Sequence, residues 1–302
     1  ERIWVVTSES LAEATADALP DVPRRNVLAE PTGRNTAPCV GWAADHIVEQ
    51  DPKGVLAVLP ADHHIGDEVE FRRVLEVAFS VAGEHLVTVG VEPTRPETGF
   101  GYLELGGELS AGVHHGRRFV EKPDREQAEA FLEAGRFLWN SGMFFFRASA
   151  ILDEIGTHLP LLREGLSKLA AARAAGRERA VLPEVYPELP SISIDFGVME
   201  RAERFAVVPG TFGWSDLGSW QSAWELGRKD TRDNVLPTDT VAIDSARSLV
   251  QAPAGKFVAL VGVEDIVIVD TGDALLVTRR EASQRVREVV DELRRRKRDD
   301  LL

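Results

Sequence analysis

A chain of 302 residues with 44% hydrophobic and 28% charged side chains can bury a full core and divide into a large and a small domain. Its net charge of −14 argues against a nucleic-acid partner, which requires an electropositive face. No apolar run is long enough to span a bilayer and no basic-then-apolar leader opens the sequence, so the expectation is a cytoplasmic protein without a membrane partner.

In chain order, the first two-thirds alternates apolar strands with amphipathic helices, which predicts an α/β domain built on a parallel sheet with helices on both faces. Strands are expected at 3–6, 27–29, 55–59, Leu86–Val91, 118–120 and 143–146. The run at 55–59 is continuously apolar, as a strand buried on both faces would be. Helices are expected near 9–19 and over 38–49, 71–82, Arg125–Ala134 and 151–175. The lone cysteine, Cys39, falls in the second helix and reads as a structural thiol; without a partner it forms no internal disulfide, which fits a reducing compartment. After about residue 228 the rhythm changes to short strands at 241–243, Leu249–Gln251, 257–263, 266–269 and 274–278, separated by Asp/Gly turns. That spacing predicts a small all-β unit, a sandwich or the coils of a β-helix, although no internal repeat aligns by eye. A helix with a basic end at 294–298 follows, whose charge complements the helix dipole. The expected domains are 1–228 and 229–302.

Ligands of open α/β sheets bind beyond the carboxyl ends of the strands, so polar residues there are the candidates. Asp62 follows an apolar strand, where it is either a turn or cap residue or a metal ligand. Asp216 lies in G-W-S-D-L-G-S-W, with glycines on both sides that allow close approach to a ligand, and reads either as a turn residue or as a second ligand. Two carboxylates on converging loops suit Mg²⁺, whereas the adjacent His63 and His64 have no Cys/His spacing that supports zinc. Lys122 in F-V-E-K-P can place a point charge on a phosphate, and Glu121 can accept from sugar hydroxyls; a surface ion pair is the plain alternative. The loop T-G-F-G-Y, with Gly101, can lie flat on a sugar ring or be an ordinary hairpin, and Asn140 can hold a hydroxyl or start its strand. Arg34, Asn35 and Thr36 after the second strand, and Asp195 in S-I-D-F-G, complete the set.

The order and spacing of E-P-T-G-R-N-T-A-P (30–38), V-L-P-A-D-H (58–63), R-P-E-T-G-F-G-Y (95–102), F-V-E-K-P-D (119–124), W-N-S-G-M-F (139–144), S-I-D-F-G-V-M-E (193–200), G-W-S-D-L-G-S-W (213–220) and V-G-V-E-D-I-V-I-V (261–269) are distinctive. Together they resemble the bacterial mannose-1-phosphate guanylyltransferases (GDP-mannose pyrophosphorylases) of the sugar nucleotidyltransferase family. The resemblance runs from about residue 3 to the end. It implies a Rossmann-like nucleotide-diphospho-sugar transferase domain followed by a small left-handed β-helix-like domain. It implies the reversible, Mg²⁺-dependent reaction of GTP with mannose 1-phosphate to give GDP-mannose and pyrophosphate. By motif matching, Asp62 and Asp216 would hold the metal and Lys122 would contact the sugar phosphate. Glu121, Asn140, Asp195 and the backbone at Gly101 would line the sugar pocket, with Arg34, Asn35 and Thr36 along the nucleotide. The family's Gly-rich triphosphate cradle, G-G-x-G-x-R-L-W-P-L-S, would lie ahead of Glu1 and is expected upstream. A related hexose-1-phosphate nucleotidyltransferase and a catalytically inactive GDP-mannose-binding regulatory subunit are the alternatives. The apolar strands of the second domain are compatible with a homodimer.

Overall fold

The computed structural model describes residues 2–301. Their contacts form two compact units, one comprising the chain up to Ala61 with Gly66–Phe212, the other Asp62–Ile65 with the chain from Gly213 onward.

In the first unit, β1 (Val5–Ser8) and β2 (Val27–Glu30) pair in parallel as a small sheet of their own. β3 (Val55–Val58) precedes β4 (His64–Ile65), which belongs to the second unit. β5 (Leu86–Val91), β6 (Tyr102–Ser110), β7 (Val113–Val120), β8 (Phe137–Arg147) and β9 (Phe205–Gly210) join β3 in a six-stranded sheet ordered β3-β8-β5-β9-β7-β6. The expectation of a parallel sheet is corrected here: among these pairings only β5–β9 is parallel. The reason is β8, which returns antiparallel between β3 and β5, with Phe146 opposite Leu56 and Phe145 opposite Val87. The run at 55–59 is likewise an edge strand rather than one buried on both faces; Val55 is 36% and Leu59 43% exposed.

β8 ties the sheet to the helices. One end pairs with β6 (Trp139 opposite Tyr102) and the other with β3, while the register against β5 shifts between Thr88 and Gly90. The shift falls around Asn140–Ser141–Gly142, where Gly142 takes φ 70, a left-handed value that a Cβ would disfavour. Such a bulge bends a strand and re-aims its side chains. Phe144 and Phe146 of β8 enter a core shared with the helices Thr36–Gln50, Ala148–His158 and Pro160–Ala174. The long helix expected over 151–175 is two helices, because Pro160 has no N–H to continue the first and opens the second instead. Helix Thr36–Gln50 comes close to its neighbours at Gly41, where an added Cβ would lie 2.6 Å from Leu166 Cδ1.

In the second unit, β10 (Trp214–Ser215) pairs antiparallel with β4. Beyond them, β11 (Thr240–Ile243), β12 (Leu249–Gln251), β13 (Val258–Val261) and β14 (Ile266–Asp270) stack as coils: β11 lies parallel to β13 and β12 parallel to β14. Equivalent positions are 18 residues apart, as in the hydrogen bonds from Val263 N–H to Ser245 Oγ and from Ile266 N–H to Ser248 Oγ. A repeat is therefore present, carried by backbone geometry and small buried residues rather than by visible identity. Asp244 and Gly262 share left-handed φ values at one corner, Arg247 and Asp265 at another, and the Arg247 guanidinium bonds the Asp265 carboxylate one coil away. β15 (Leu275–Arg279) then runs antiparallel to β14.

The first coil is pinned by Asn234, only 1% exposed. Its amide donates to Asp230 Oδ2 and to the Ser245 carbonyl, and accepts from Ser248 N–H. Asn234→Ala should destabilise this unit by about 2–4 kcal/mol, since it strands a buried carbonyl and a buried N–H. Urea unfolding followed by the fluorescence of Trp224, which packs on this unit's small core, measures it, and a loss under about 0.5 kcal/mol would contradict the assignment.

Candidate active site

The first unit gathers five of the candidate residues around the bulge in β8. The Asn140 amide nitrogen donates to Asp195 Oδ1 at 2.9 Å. Asp195 opens a single π-helical turn, Asp195–Met199, a form often retained at functional sites. The residue closing that turn, Glu200, accepts the backbone N–H of Glu121 at 3.2 Å. One short turn thus presents a carboxylate from each end to the E-K pair. Glu121 is nearly enclosed, with an 8% exposed side chain; it lies 3.3 Å from the Lys122 ammonium, which is itself 46% exposed. Its Oε2 is buried without a hydrogen-bond partner. Lys122 holds φ 48, a left-handed conformation costing about 1–2 kcal/mol for a side chain of this kind, and its N–H is tied to the Phe100 carbonyl. Gly101 sits directly over the cluster, its carbonyl accepting from Asn140 N–H, and an added Cβ would meet Glu121 Oε2 at 2.5 Å and Asn140 Cβ at 3.2 Å.

Three carboxylates and one ammonium form an acidic cluster, and burial acts on it. Burial, with the neighbouring negative charge of Asp195 second, pushes the Glu121 carboxyl up to about 7 against the opposing pull of Lys122. Burial also raises Asp195. Between pH 4.5 and 7 the folded protein keeps a proton on Glu121 that the unfolded chain has lost, so stability falls as pH rises through that window and levels off above it. The Glu121 share of this fall is about 3 kcal/mol. Glu121→Gln should remove it, making the variant the more stable protein at pH 8. Urea midpoints at pH 5 and 8 measure the change, and parallel losses in both proteins would contradict it.

Arg34, Asn35 and Thr36 sit in the same unit at the start of helix Thr36–Gln50. Asn35 is its cap residue at φ 66, with its side chain accepting from Thr36 N–H. Thr36 Oγ1 accepts the Ile194 N–H at 2.8 Å, which ties R-N-T-A-P to the segment leading into Asp195. Arg34 Nε is buried and without a partner. Glu30, from the same motif, accepts from the buried Tyr186 hydroxyl at 2.6 Å. Cys39 is structural in its surroundings: its Sγ donates to the Thr36 carbonyl, and burial pushes the thiol up to about 12.

Asp62 and Asp216 both belong to the second unit. The β4–β10 register places Ser215 opposite His64, so Asp216 directly follows β10 while Asp62 lies two residues ahead of β4. Burial lowers the His63 imidazole, opposed by the charges of both Asp62 and Asp216, so both carboxylates lie within its electrostatic reach. Its Nδ1 accepts from the Trp214 indole N–H at 3.0 Å and is therefore occupied. Asp62 is exposed, whereas Asp216 Oδ1 is buried with no hydrogen-bond partner. A buried, unpartnered carboxylate oxygen, with a second carboxylate acting on the same imidazole, fits a hard divalent cation. Among the described residues no three His, Cys, Asp or Glu side chains gather as a closed metal cage, so such an ion would complete its shell with water and phosphate oxygens.

Sequence reasoning missed Thr88, Glu97 and Glu200. Glu97 is buried, accepts from Gly99 N–H and pairs with Arg95, which shapes the loop carrying Gly101. Its signal was present as an acidic residue within R-P-E-T-G-F-G-Y.

The fold defines a class: a mixed α/β unit, here carrying a Lys–carboxylate–amide cluster, followed by β-helix coils. The nucleotidyl transferase family model matches residues 1–233, and a mannose-phosphate isomerase/GMP-like β-helix domain model matches 238–293. The chain belongs to the nucleotidyl transferase family. It is 40% identical over 280 residues to the mannose-1-phosphate guanylyltransferase of Klebsiella pneumoniae, covering 91% of this chain and 59% of that protein. It is 40% identical over 269 residues to the alginate biosynthesis protein AlgA of Pseudomonas syringae, covering 87% and 55%. The chain thus spans a little over half the length of these curated relatives. A crystal structure from Thermus thermophilus, described as a mannose-1-phosphate geranyltransferase, superposes with a TM-score of 0.82 at 36% identity, over 97% of this chain and 84% of that one.

Proposed function

We propose that the protein transfers GMP from GTP to mannose 1-phosphate, giving GDP-mannose and pyrophosphate. The observation that carries this reading is the convergence of Gly101, Glu121, Lys122, Asn140 and Asp195 on the β8 bulge, in a chain 40% identical to a mannose-1-phosphate guanylyltransferase. An enclosed carboxylate and an amide with a free N–H are suited to sugar hydroxyls, and the half-exposed Lys122 ammonium beside them to the sugar phosphate. Gly101, where an added Cβ would meet Glu121 Oε2, lets the Glu121 carboxylate and Asn140 close up against its backbone, which lines the pocket.

A phosphate oxygen of the sugar substrate attacks the α-phosphorus of GTP; the new P–O bond forms as the bond to pyrophosphate breaks in line. The protein supplies position and charge compensation. Lys122 orients the attacking phosphate and offsets its charge as the two anions approach. Asn140, Asp195 and Glu121 fix the sugar ring through its hydroxyls. Arg34, Asn35 and Thr36 lie along the nucleotide. Asp62 and Asp216 would hold Mg²⁺, which when bound would supply charge neutralisation to the phosphates. The location is the cytoplasm, in keeping with the substrates; among the described residues no helix is long and apolar enough to cross a membrane.

The test is pyrophosphate release by the full-length protein with GTP, ATP, UTP or dTTP against mannose 1-phosphate or glucose 1-phosphate. The GTP–mannose pair should exceed every other pair by at least about tenfold in kcat/KM. Turnover that favours another pair would replace the substrate assignment, and binding of GDP-mannose without any turnover would replace the enzyme reading with a regulatory one.

A further inference from the structure

β5 reads L-V-T-V-G-V, and Thr88 in its centre is 0% exposed. A hydroxyl has no packing reason to be there, since valine has the same shape and a higher affinity for such a site. What Thr88 does is donate: its Oγ1 lies 2.9 Å from Asn140 Oδ1 and 3.2 Å from the Met143 carbonyl, across the register shift between β5 and β8. The Gly142 N–H also donates to Asn140 Oδ1, at 3.2 Å. The Gly142 N–H on one side and the Asp195 carboxylate on the other set the orientation of the amide, and the Thr88 hydroxyl, whose one hydrogen is shared between Asn140 Oδ1 and the Met143 carbonyl, reinforces it from the strand interior. The amide oxygen faces the strand interior and its nitrogen faces Asp195. Among the described residues no acceptor takes the second N–H of that nitrogen.

We propose that Thr88 is a positioning residue for sugar-phosphate recognition, its buried hydroxyl locking the Asn140 amide so that the free N–H faces the sugar. The proposal rests on the reading of Asn140 as a sugar contact. In the unlocked amide, flipping brings Oδ1 toward the Asp195 carboxylate and directs an acceptor pair at the ligand. The locked orientation saves that rotational freedom before the sugar arrives, so the benefit appears in substrate affinity rather than in the rate of phosphorus transfer. Glycine at 142 serves the same end, since its left-handed φ turns the N–H back onto Oδ1.

The experiment compares Thr88→Val and Thr88→Ser in the full-length protein. Thr88→Val should raise KM for the sugar phosphate about tenfold, the size of one net hydrogen bond. Its kcat and its KM for GTP should stay within about twofold of wild type, and Thr88→Ser, which restores the hydroxyl, should return KM to within about threefold. Should Thr88→Val fail to fold, Thr88→Ala carries the same comparison with Thr88→Ser. An unchanged KM in the hydroxyl-free variant overturns the proposal, as do equal losses in the valine and serine variants, or a parallel rise in KM for GTP. A wild-type protein that turns over no hexose 1-phosphate overturns the functional reading first and this proposal with it; an active wild type with an indifferent Thr88 overturns this proposal alone.

Discussion

Asp216→Asn should lower kcat by about three orders of magnitude at saturating GTP and sugar phosphate, with the melting temperature unchanged or slightly raised. The buried Asp216 Oδ1 has no partner in the protein, and Asp62 adds a second negative charge on the neighbouring strand end. Because Asp216 Oδ1 bonds no protein group, the asparagine variant breaks no hydrogen bond at that oxygen, and the loss falls on the charge compensation of the displacement. The measurement is pyrophosphate release across a Mg²⁺ titration, alongside a thermal melt with and without Mg²⁺. Wild type should gain stability as Mg²⁺ is added, and the variant should not. A variant that keeps more than about a tenth of wild-type kcat would remove Asp216 from the metal set.

Lys122→Ala should lower kcat/KM for the sugar phosphate by about two orders of magnitude, while KM for GTP changes by less than about threefold. Lys122 pairs with Glu121 in the Glu121–Asp195–Glu200 cluster, so its removal takes a positive charge from beside carboxylates that a phosphate would then face. It also removes the charge that holds Glu121 down, which moves that carboxyl further up and extends the pH-dependent loss of stability to higher pH. Lys122→Arg should recover only part of the activity, because a planar fork fits the compact position beside Glu121 poorly. Kinetics with each substrate varied in turn settle the point, and a loss shared equally between GTP and sugar phosphate would contradict it.

Much of the α/β rhythm was legible in the sequence because periodicity reports local burial: β5 and helix Arg125–Ala134 fall where their patterns place them. Strand direction was not, because an antiparallel return such as β8 has the same apolar run as a parallel strand. β6 and β9 were missed for related reasons; β6 carries two glycines and alternates poorly, and β9 ends in Pro-Gly. The 18-residue coil stayed hidden because its constancy lies in backbone φ and buried serines. In the site, motif order identified Glu121, Lys122, Asn140 and Asp195 as candidates, and the structure brings these four together on one bulge. Thr88 and Glu200 were not legible as contributors, since each acts through a hydrogen bond to another residue rather than through its own type.

β15 reverses the direction in which the second unit stacks. A parallel coil exposes a row of backbone donors and acceptors that any further strand in register can continue, including one from another molecule. Lying antiparallel on β14, with Leu275 opposite Asp270 and Arg279 opposite Ile266, β15 occupies that row with a strand whose own outer edge no longer matches the coil. β15 covers β14 in the sheet β12-β14-β15 and takes no part in the sheet β11-β13. In polymer terms β15 is a chain terminator for the sheet containing β12 and β14.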